Sequence, residues 1–353
     1  MKIKTIDAQN FMMFESLSMP FSDGINVIFG ENSTGKTAIL KALYSSAKVI
    51  SDLSHNKNSA LTKDIIEKNL VSKMVGVFRP ENDVIGRLVG RLQGSNRTDV
   101  KIEFSDDISL AYGFGNRQSN HIDINKFENL NVENDFIPIY IPPKEIISIG
   151  NITSLYDDFH IEIEETYYDL ARLLLRPLKK GPNTNEQTAV LSSFNQIMNG
   201  QVVQKDNRFF LKVKGSGEFE MGLVSEGYRK LSTLTYLILS GSLNKSSILF
   251  WDEPESNMNP KMIYYIAQAL VELAKMGVQI FVTTHSYFVQ QAFNLIANYP
   301  KANPKNVDIK FISLFKEMNK SDFESAKNLN EIKHNSIMEE FDEIYNRELE
   351  LNQ

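Results

Sequence analysis

The sequence predicts an α/β fold, with a parallel-sheet core preceded by a mixed β region and interrupted by a small helical lobe. Three observations predict it. A glycine-rich octapeptide, Gly30 to Thr37, stands between the apolar run Val27-Ile28-Phe29 and a segment of helical spacing. Two short apolar runs, Ile248 to Trp251 and Val278 to Thr283, flank the amphipathic stretch Lys261 to Lys275. Strand, helix and strand in that order are the pattern of a parallel sheet.

Bulk properties narrow the class. The chain has 353 residues and 42% hydrophobic content, enough for a large core, which excludes a disordered or fibrous protein. A net charge of -6 gives the average surface no attraction for polyanions, so any contact with DNA or RNA has to come from local basic clusters. Without cysteine there are no disulfides, thiolate-bound metals or thiol nucleophiles. The N-terminus MKIKTIDAQNFMMF lacks the apolar stretch of a signal peptide, and no apolar run approaches a membrane span. The expectation is a cytoplasmic protein without membrane contact.

The elements follow in order. Lys2 to Ile6, Phe11 to Met19 and Gly24 to Phe29 read as strands, and Ala38 to Ser51 as a helix with Ile39, Leu40, Leu43, Ala47 and Ile50 on its apolar side. Residues 53 to 135 read as a loop-rich β region, with strand candidates at Val100 to Phe104 and Ile108 to Tyr112 and an asparagine-rich stretch from Asn116 to Asn134. Phe136 to Ile141 is a buried-strand candidate stopped by Pro142-Pro143. Ile161 to Leu175 and Gln187 to Met198 read as helices, and Arg208 to Val213 with Glu218 to Leu223 as a hairpin around Gly215-Ser216-Gly217. Tyr228 to Leu239 is a helix before the strand at Ile248, and Asn328 to Gln353 is acidic and helical in character. The division expected is 1–141, an N-terminal part with the β region; 142–224, the helical lobe and hairpin; 225–316, the C-terminal part of the core; and 317–353, a helical tail.

Four segments carry chemistry. Gly30-Glu31-Asn32-Ser33-Thr34-Gly35-Lys36-Thr37 fits G-x-x-x-x-G-K-[ST] at every fixed position. In such a loop, backbone N–H groups and the next helix N-terminus cradle phosphates, the lysine reaches the β and γ phosphates, and the hydroxyl of Thr37 ligates magnesium. Ile248-Leu249-Phe250-Trp251-Asp252-Glu253 ends a strand in two carboxylates, Asp252 for magnesium and Glu253 as general base toward water. Ser225-Glu226-Gly227 opens a helix, where a hydroxyl and free N–H groups suit a phosphate, although ordinary capping uses the same residues. His285 ends the run Phe281-Val282-Thr283-Thr284 and is placed to hydrogen-bond a γ-phosphate.

These four segments in this order resemble the ABC-type ATPases, a P-loop NTPase superfamily: GENSTGKT as Walker A, Ser225-Glu226-Gly227 as the signature, ILFWDE as Walker B with its glutamate, and His285 as the switch histidine. The wording is closest to the SMC, RecF and OLD-like branch. Asn10-Phe11, SEGYRKL and EPESNMNP look like the AAA family ATPases of anti-phage operons such as Gabija, Septu and PARIS. The resemblance implies ATP and Mg2+ as ligands, with Gly30 to Ala38 and Ser225 to Gly227 binding nucleotide, Thr37 and Asp252 holding metal, and Lys36, Glu253 and His285 acting in hydrolysis. It also implies a homodimer with ATP sandwiched between copies, and a separately encoded effector such as a nuclease or toxin. Departures accompany it. Asn259 stands where transporters have Asp, and no Q-loop glutamine is evident, Lys144 or Glu145 occupying its place. Too few residues follow His285 for the TOPRIM nuclease domain of OLD proteins.

Two alternatives stay open: a RecF-like DNA repair ATPase, and an ATP-dependent scaffold or sensor with negligible turnover. Arg87, Arg91, Arg97 and Lys101, and again Arg172, Arg176, Lys179 and Lys180, are the basic clusters that nucleic acid would need, and solvated helix and strand faces are the plainer reading of both.

Overall fold

The computed structural model describes residues 1–55, 62–91, 94, 96–118, 120–128, 136–149, 152–159, 162–304, 306–317 and 320–351. At its centre is a six-stranded sheet in the order β14-β13-β3-β12-β11-β7. Its strands are β3 (Ile25–Gly30), β7 (Pro138–Ile141), β11 (Ile248–Asp252), β12 (Gln279–Thr284), β13 (Ile309–Glu317) and β14 (Lys320–Ala326). All neighbours are parallel except the edge strand β14 on β13. The inner strands are mostly apolar because both faces are covered, with Asn26, Asp252, Gln279, Thr283 and Thr284 among their buried polar exceptions. On β3, Ile25, Val27 and Phe29 pack into one apolar cluster and Ile28 into the other; on β11, Leu249 and Trp251 part in the same way from Ile248 and Phe250.

One face is covered by α1 (Lys36–His55), which lies between this sheet and a five-stranded antiparallel sheet, β2-β1-β4-β5-β6. That second sheet comprises β1 (Ile3–Phe11), β2 (Phe14–Pro20), β4 (Arg97–Phe104), β5 (Ser109–Gly115) and β6 (Asp123–Glu128). The other face is covered by helices that include α4 (Glu165–Leu174), α5 (Asn185–Met198), α6 (Glu226–Leu239), α7 (Pro260–Lys275) and α8 (Tyr287–Asn298). A third antiparallel sheet, β10-β9-β8, runs from β8 (Gly200–Lys205) through β9 (Arg208–Val213) to β10 (Gly217–Glu220).

The expected strands of the core are present, and several segments differ, among them the hairpin, whose last strand ends at Glu220 and gives way to a 3-10 turn (Met221–Leu223). The stretch read as loop and strand after residue 53 contains α2 (Lys63–Phe78), capped by Thr62, whose hydroxyl accepts from the Ile65 N–H. Its Ile66, Leu70, Met74 and Val77 share one buried side, but intervening Lys, Glu and Asn residues mask that spacing. The helix expected from Ile161 begins at Glu165, residue 161 lying outside the described residues, and α3 (Ile152–Phe159) precedes it. The helical tail expected from 317 begins with β14, whose alternating polar sequence suits an edge, and a short 3-10 turn (Leu329–Glu331) then leads to α9 (Ser336–Leu351). Much of the asparagine-rich stretch, residues 119 and 129–134, lies outside the described residues.

Candidate functional site

The octapeptide Gly30 to Thr37 is the turn from β3 into α1, at the C-terminal edge of the parallel strands, where ligands of open α/β sheets bind. Two of its glycines are required. Gly30 has φ 148°, and a Cβ there would meet the carbonyl oxygen of Leu314 on β13 at 2.1 Å. Gly35 has φ 104°, and its Cβ would strike the Phe14 ring at 2.4 Å. Gly30→Ala should therefore destabilise the fold by about 1–3 kcal/mol through strain and a backbone clash, read as a lower midpoint in denaturant.

Within the loop, Lys36 Nζ donates to the carbonyls of Gly30 and Glu31, both at 2.8 Å, and Thr34 Oγ1 donates to Glu31 O at 2.9 Å. The loop is thus closed over its own lysine, and an incoming phosphate would compete for that ammonium. Burial pushes the Lys36 ammonium below its ordinary value, while the carboxylates of Glu253, Asp252, Glu255 and Glu31 oppose the shift.

Asp252 ends β11 directly across from the loop. Its Oδ1 accepts from Thr37 Oγ1 at 3.1 Å and from Thr283 Oγ1, and its Oδ2 accepts from Tyr140 OH at 3.0 Å. Burial raises its carboxyl above the ordinary range, and the hydroxyl bonds hold it back. Tyr140 and Thr283 were not singled out from sequence. They sit inside apolar strand runs, and the only signal was a polar atom on strands otherwise buried on both faces.

Glu253 follows in a left-handed conformation, φ 47°, uncommon for a residue with a side chain. Its N–H donates to Thr283 O at 3.1 Å, which aims the side chain out of the sheet. Glu253 Oε1 meets His285 Nδ1 at 3.1 Å, so the two residues proposed for hydrolysis lie together at the ends of adjacent parallel strands.

Thr37, Lys41, Lys144, Glu145, Asp252 and Glu253 line one side of a cavity of about 640 Å³. Lys144 and Glu145, the residues in the Q-loop place, therefore border the same space as the carboxylates. Ser225 to Gly227 do not line it. Ser225 is exposed and caps α6 without a side-chain bond to its own helix, and Leu223 just before it is 77% exposed. Gly227 is buried against Met262 of α7, where a Cβ would lie 3.1 Å from Met262 Cγ.

Of the basic clusters, the first is largely neutralised: Arg87 pairs with Glu81, Arg97 with Asp99 and Asp123, and Lys101 with Glu103. In the second, Arg172 lies over the Tyr168 ring and Lys179 bonds Gln187.

Two family models match the chain. The "AAA ATPase domain" model matches residues 1–137, and the "AAA domain, putative AbiEii toxin, Type IV TA system" model matches residues 152–289. Among curated relatives, the DNA replication and repair protein RecF of Pediococcus pentosaceus is 35% identical over 85 residues, 24% of this chain and 21% of that protein. RecF of Bacillus cytotoxicus is 30% identical over 105 residues, 30% of this chain and 23% of that protein. The matched segments thus span under a quarter of these relatives. An SMC head bound to the C-terminal winged-helix domain of ScpA superposes with a TM-score of 0.55 at 15% identity, over 94% of this chain and 99% of that one. The chain thus carries two matches to AAA-type ATPase domain models and has the fold of an SMC head, that of the ABC-type P-loop ATPases. The Pyrococcus furiosus SMC head with an extended coiled coil, bound to the C-terminal domain of ScpA, agrees in fold: TM-score 0.51, 13% identity, 98% of this chain and 99% of that one.

In this fold the glycine-rich loop, the strand-end carboxylates and the histidine converge on one edge of the central sheet, and Ser225 to Gly227 lie outside the cavity they border. Tyr140→Phe should test the support of Asp252. Losing one of its three hydroxyl donors should weaken Mg2+-dependent turnover by about tenfold, with the Mg2+ midpoint moving upward in a metal titration.

Proposed function

We propose that the chain binds ATP with Mg2+ and hydrolyses it in a site shared by two copies, using the cycle to control a separate effector. The observation that carries this reading is the split arrangement. Thr37, Asp252, Glu253 and His285 are gathered at one place, while the serine turn is exposed with its hydroxyl unclaimed by its own helix. The loop offers one part of a phosphate cradle and the exposed serine turn, outside the same cavity, would offer the other, which two copies related by a twofold axis would complete twice.

In the proposed site, the N–H groups of Gly30 to Ala38 surround the phosphates and Lys36 exchanges its loop carbonyls for phosphate oxygens. The residues fit Mg2+: Thr37 and Asp252 offer two oxygens already 3.1 Å apart, and no all-protein metal cage is present among the described residues. That suits a metal completed by phosphate and water. When bound, Mg2+ neutralises developing phosphate charge. Glu253 takes the proton of the attacking water, and His285, bonded to it through Nδ1, would offer its Nε2 to the γ-phosphate. The scaffold alternative, ATP binding with negligible turnover, gains nothing from this pairing of a base with a histidine.

Complementation tests the sharing. Lys36→Ala and Ser225→Arg proteins should each be inactive alone, yet their mixture should recover turnover, because the mixed dimer contains one site with both halves intact. A mixture as inactive as its parts would remove the shared site.

The separate effector is supported by the toxin–antitoxin wording of the second family model, and an anti-phage role rests on the motif resemblance. The RecF similarity favours a second reading, a DNA repair ATPase. Turnover stimulated by DNA ends or junctions would select it, and turnover indifferent to DNA would select the effector reading.

A further inference from the structure

Lys230 has no part in the mechanism above, although it is among the largest fully buried side chains described. It lies on α6 a little over one turn after Ser225. Its Nζ donates to the carbonyls of Pro254 at 2.9 Å and Ser256 at 2.7 Å, with the Glu226 carboxylate at 3.9 Å. Those carbonyls flank Glu255, a buried carboxylate. Its Oε1 accepts from Thr284 Oγ1 at 2.6 Å and from the His285 N–H at 3.2 Å. The same turn begins at Glu253, whose backbone carbonyl accepts from the Ser256 N–H at 3.1 Å. One covalent and hydrogen-bonded chain therefore runs from the serine turn through Lys230 to the turn after β11, and through Glu255 to the backbone that carries His285.

We infer that Lys230 is a positioning residue that ties the serine turn to Glu253 and His285 of the same chain, so that a phosphate docking on one copy's Ser225 to Gly227 adjusts that copy's own hydrolytic pair. This rests on the shared-site reading. The coupling is electrostatic at its start. A phosphate at the N-terminus of α6 arrives beside Glu226, which also faces both cations of that turn, Lys230 and, at 3.6 Å, Arg229. Repulsion of Glu226 changes its hold on both. Arg229 reaches Glu145 on the cavity wall at 2.9 Å, and Lys230 reaches the turn that carries Glu255. A buried ammonium is costly to place, and a plain apolar side chain would fill the volume at less cost. Burial does lower the Lys230 ammonium below its ordinary value, with Glu226 opposing.

Lys230→Met keeps length and loses the donors. ATP affinity, read with a fluorescent ATP analogue, and ATP-dependent dimerisation in a Glu253→Gln background should stay within about twofold of the parent. Against that, kcat should fall by about tenfold at little-changed KM, and Lys230→Arg should recover most of the loss. A Lys230→Met protein that dimerises and turns over like wild type overturns the inference. If that variant fails to fold, Thr284→Val serves, since it removes the hydroxyl that donates to Glu255 and accepts from the Ser286 N–H: kcat should again fall at constant KM, and unchanged kcat overturns the link. Wild-type protein that stays monomeric with ATP sinks the shared site and this inference together, whereas a normal dimer with a silent Lys230→Met sinks this inference alone.

Discussion

Glu253→Gln protein binds ATP as well as wild type, releases phosphate about 10²–10⁴-fold more slowly, and accumulates as an ATP-dependent dimer. The rate range is that of removing a general base. The amide keeps the shape of the carboxylate and can still meet His285 Nδ1, so the left-handed turn and the neighbouring Asp252 have no reason to move. What is lost is the capacity to take a proton. Light scattering after gel filtration with ATP and Mg2+ reads the dimer, and phosphate release reads the rate. Normal turnover would remove Glu253 as the base, and slow turnover without a dimer would leave the base but undo the shared site.

Lys36→Ala protein loses ATP affinity by about 10–100-fold, the equivalent of one charged hydrogen-bonding partner, about 1.5–3 kcal/mol. The fold should survive, because the lysine's bonds run to Gly30 O and Glu31 O at the rim of the loop. Equilibrium binding of a fluorescent ATP analogue checks the affinity, and an unperturbed thermal midpoint without nucleotide checks the fold. Unchanged affinity would remove the phosphate role of the loop.

The inner strands of the central sheet were legible because their chemistry is local. β3, β11 and β12 are short, mostly apolar runs, and a glycine-rich turn, paired carboxylates and a histidine mark their ends in turn. Segments held by distant partners were not. α2 exposes much of its surface and pins Lys73 to Glu165 and Asp169 on α4, so its sequence reads as polar until those partners are known. β8 follows α5 with only the left-handed Asn199 between them, a break that a run of polar and apolar residues hides. At the site, residue types and order gave Thr37, Asp252, Glu253 and His285, but the hydroxyls of Tyr140 and Thr283 that hold Asp252 come from apolar strands. Only the pairing of β11 with β7 and β12 brings them there. Sequence alone likewise gave no reason to look at Lys230, whose acceptors are backbone carbonyls.

The position of β3 also bears on how the chain can fold. β3 lies between β12 and β13, so both neighbours of the strand that launches the nucleotide loop come from residues 279–317, more than two-thirds of the chain away. Pairings across such distances bear a large loop-closure cost and form slowly. During synthesis the octapeptide emerges long before the strands that flank it and has no sheet to stand on until β12 has left the ribosome. Until then β3 is an apolar strand with two open edges, exposed to wrong partners and dependent on late residues for its first correct one.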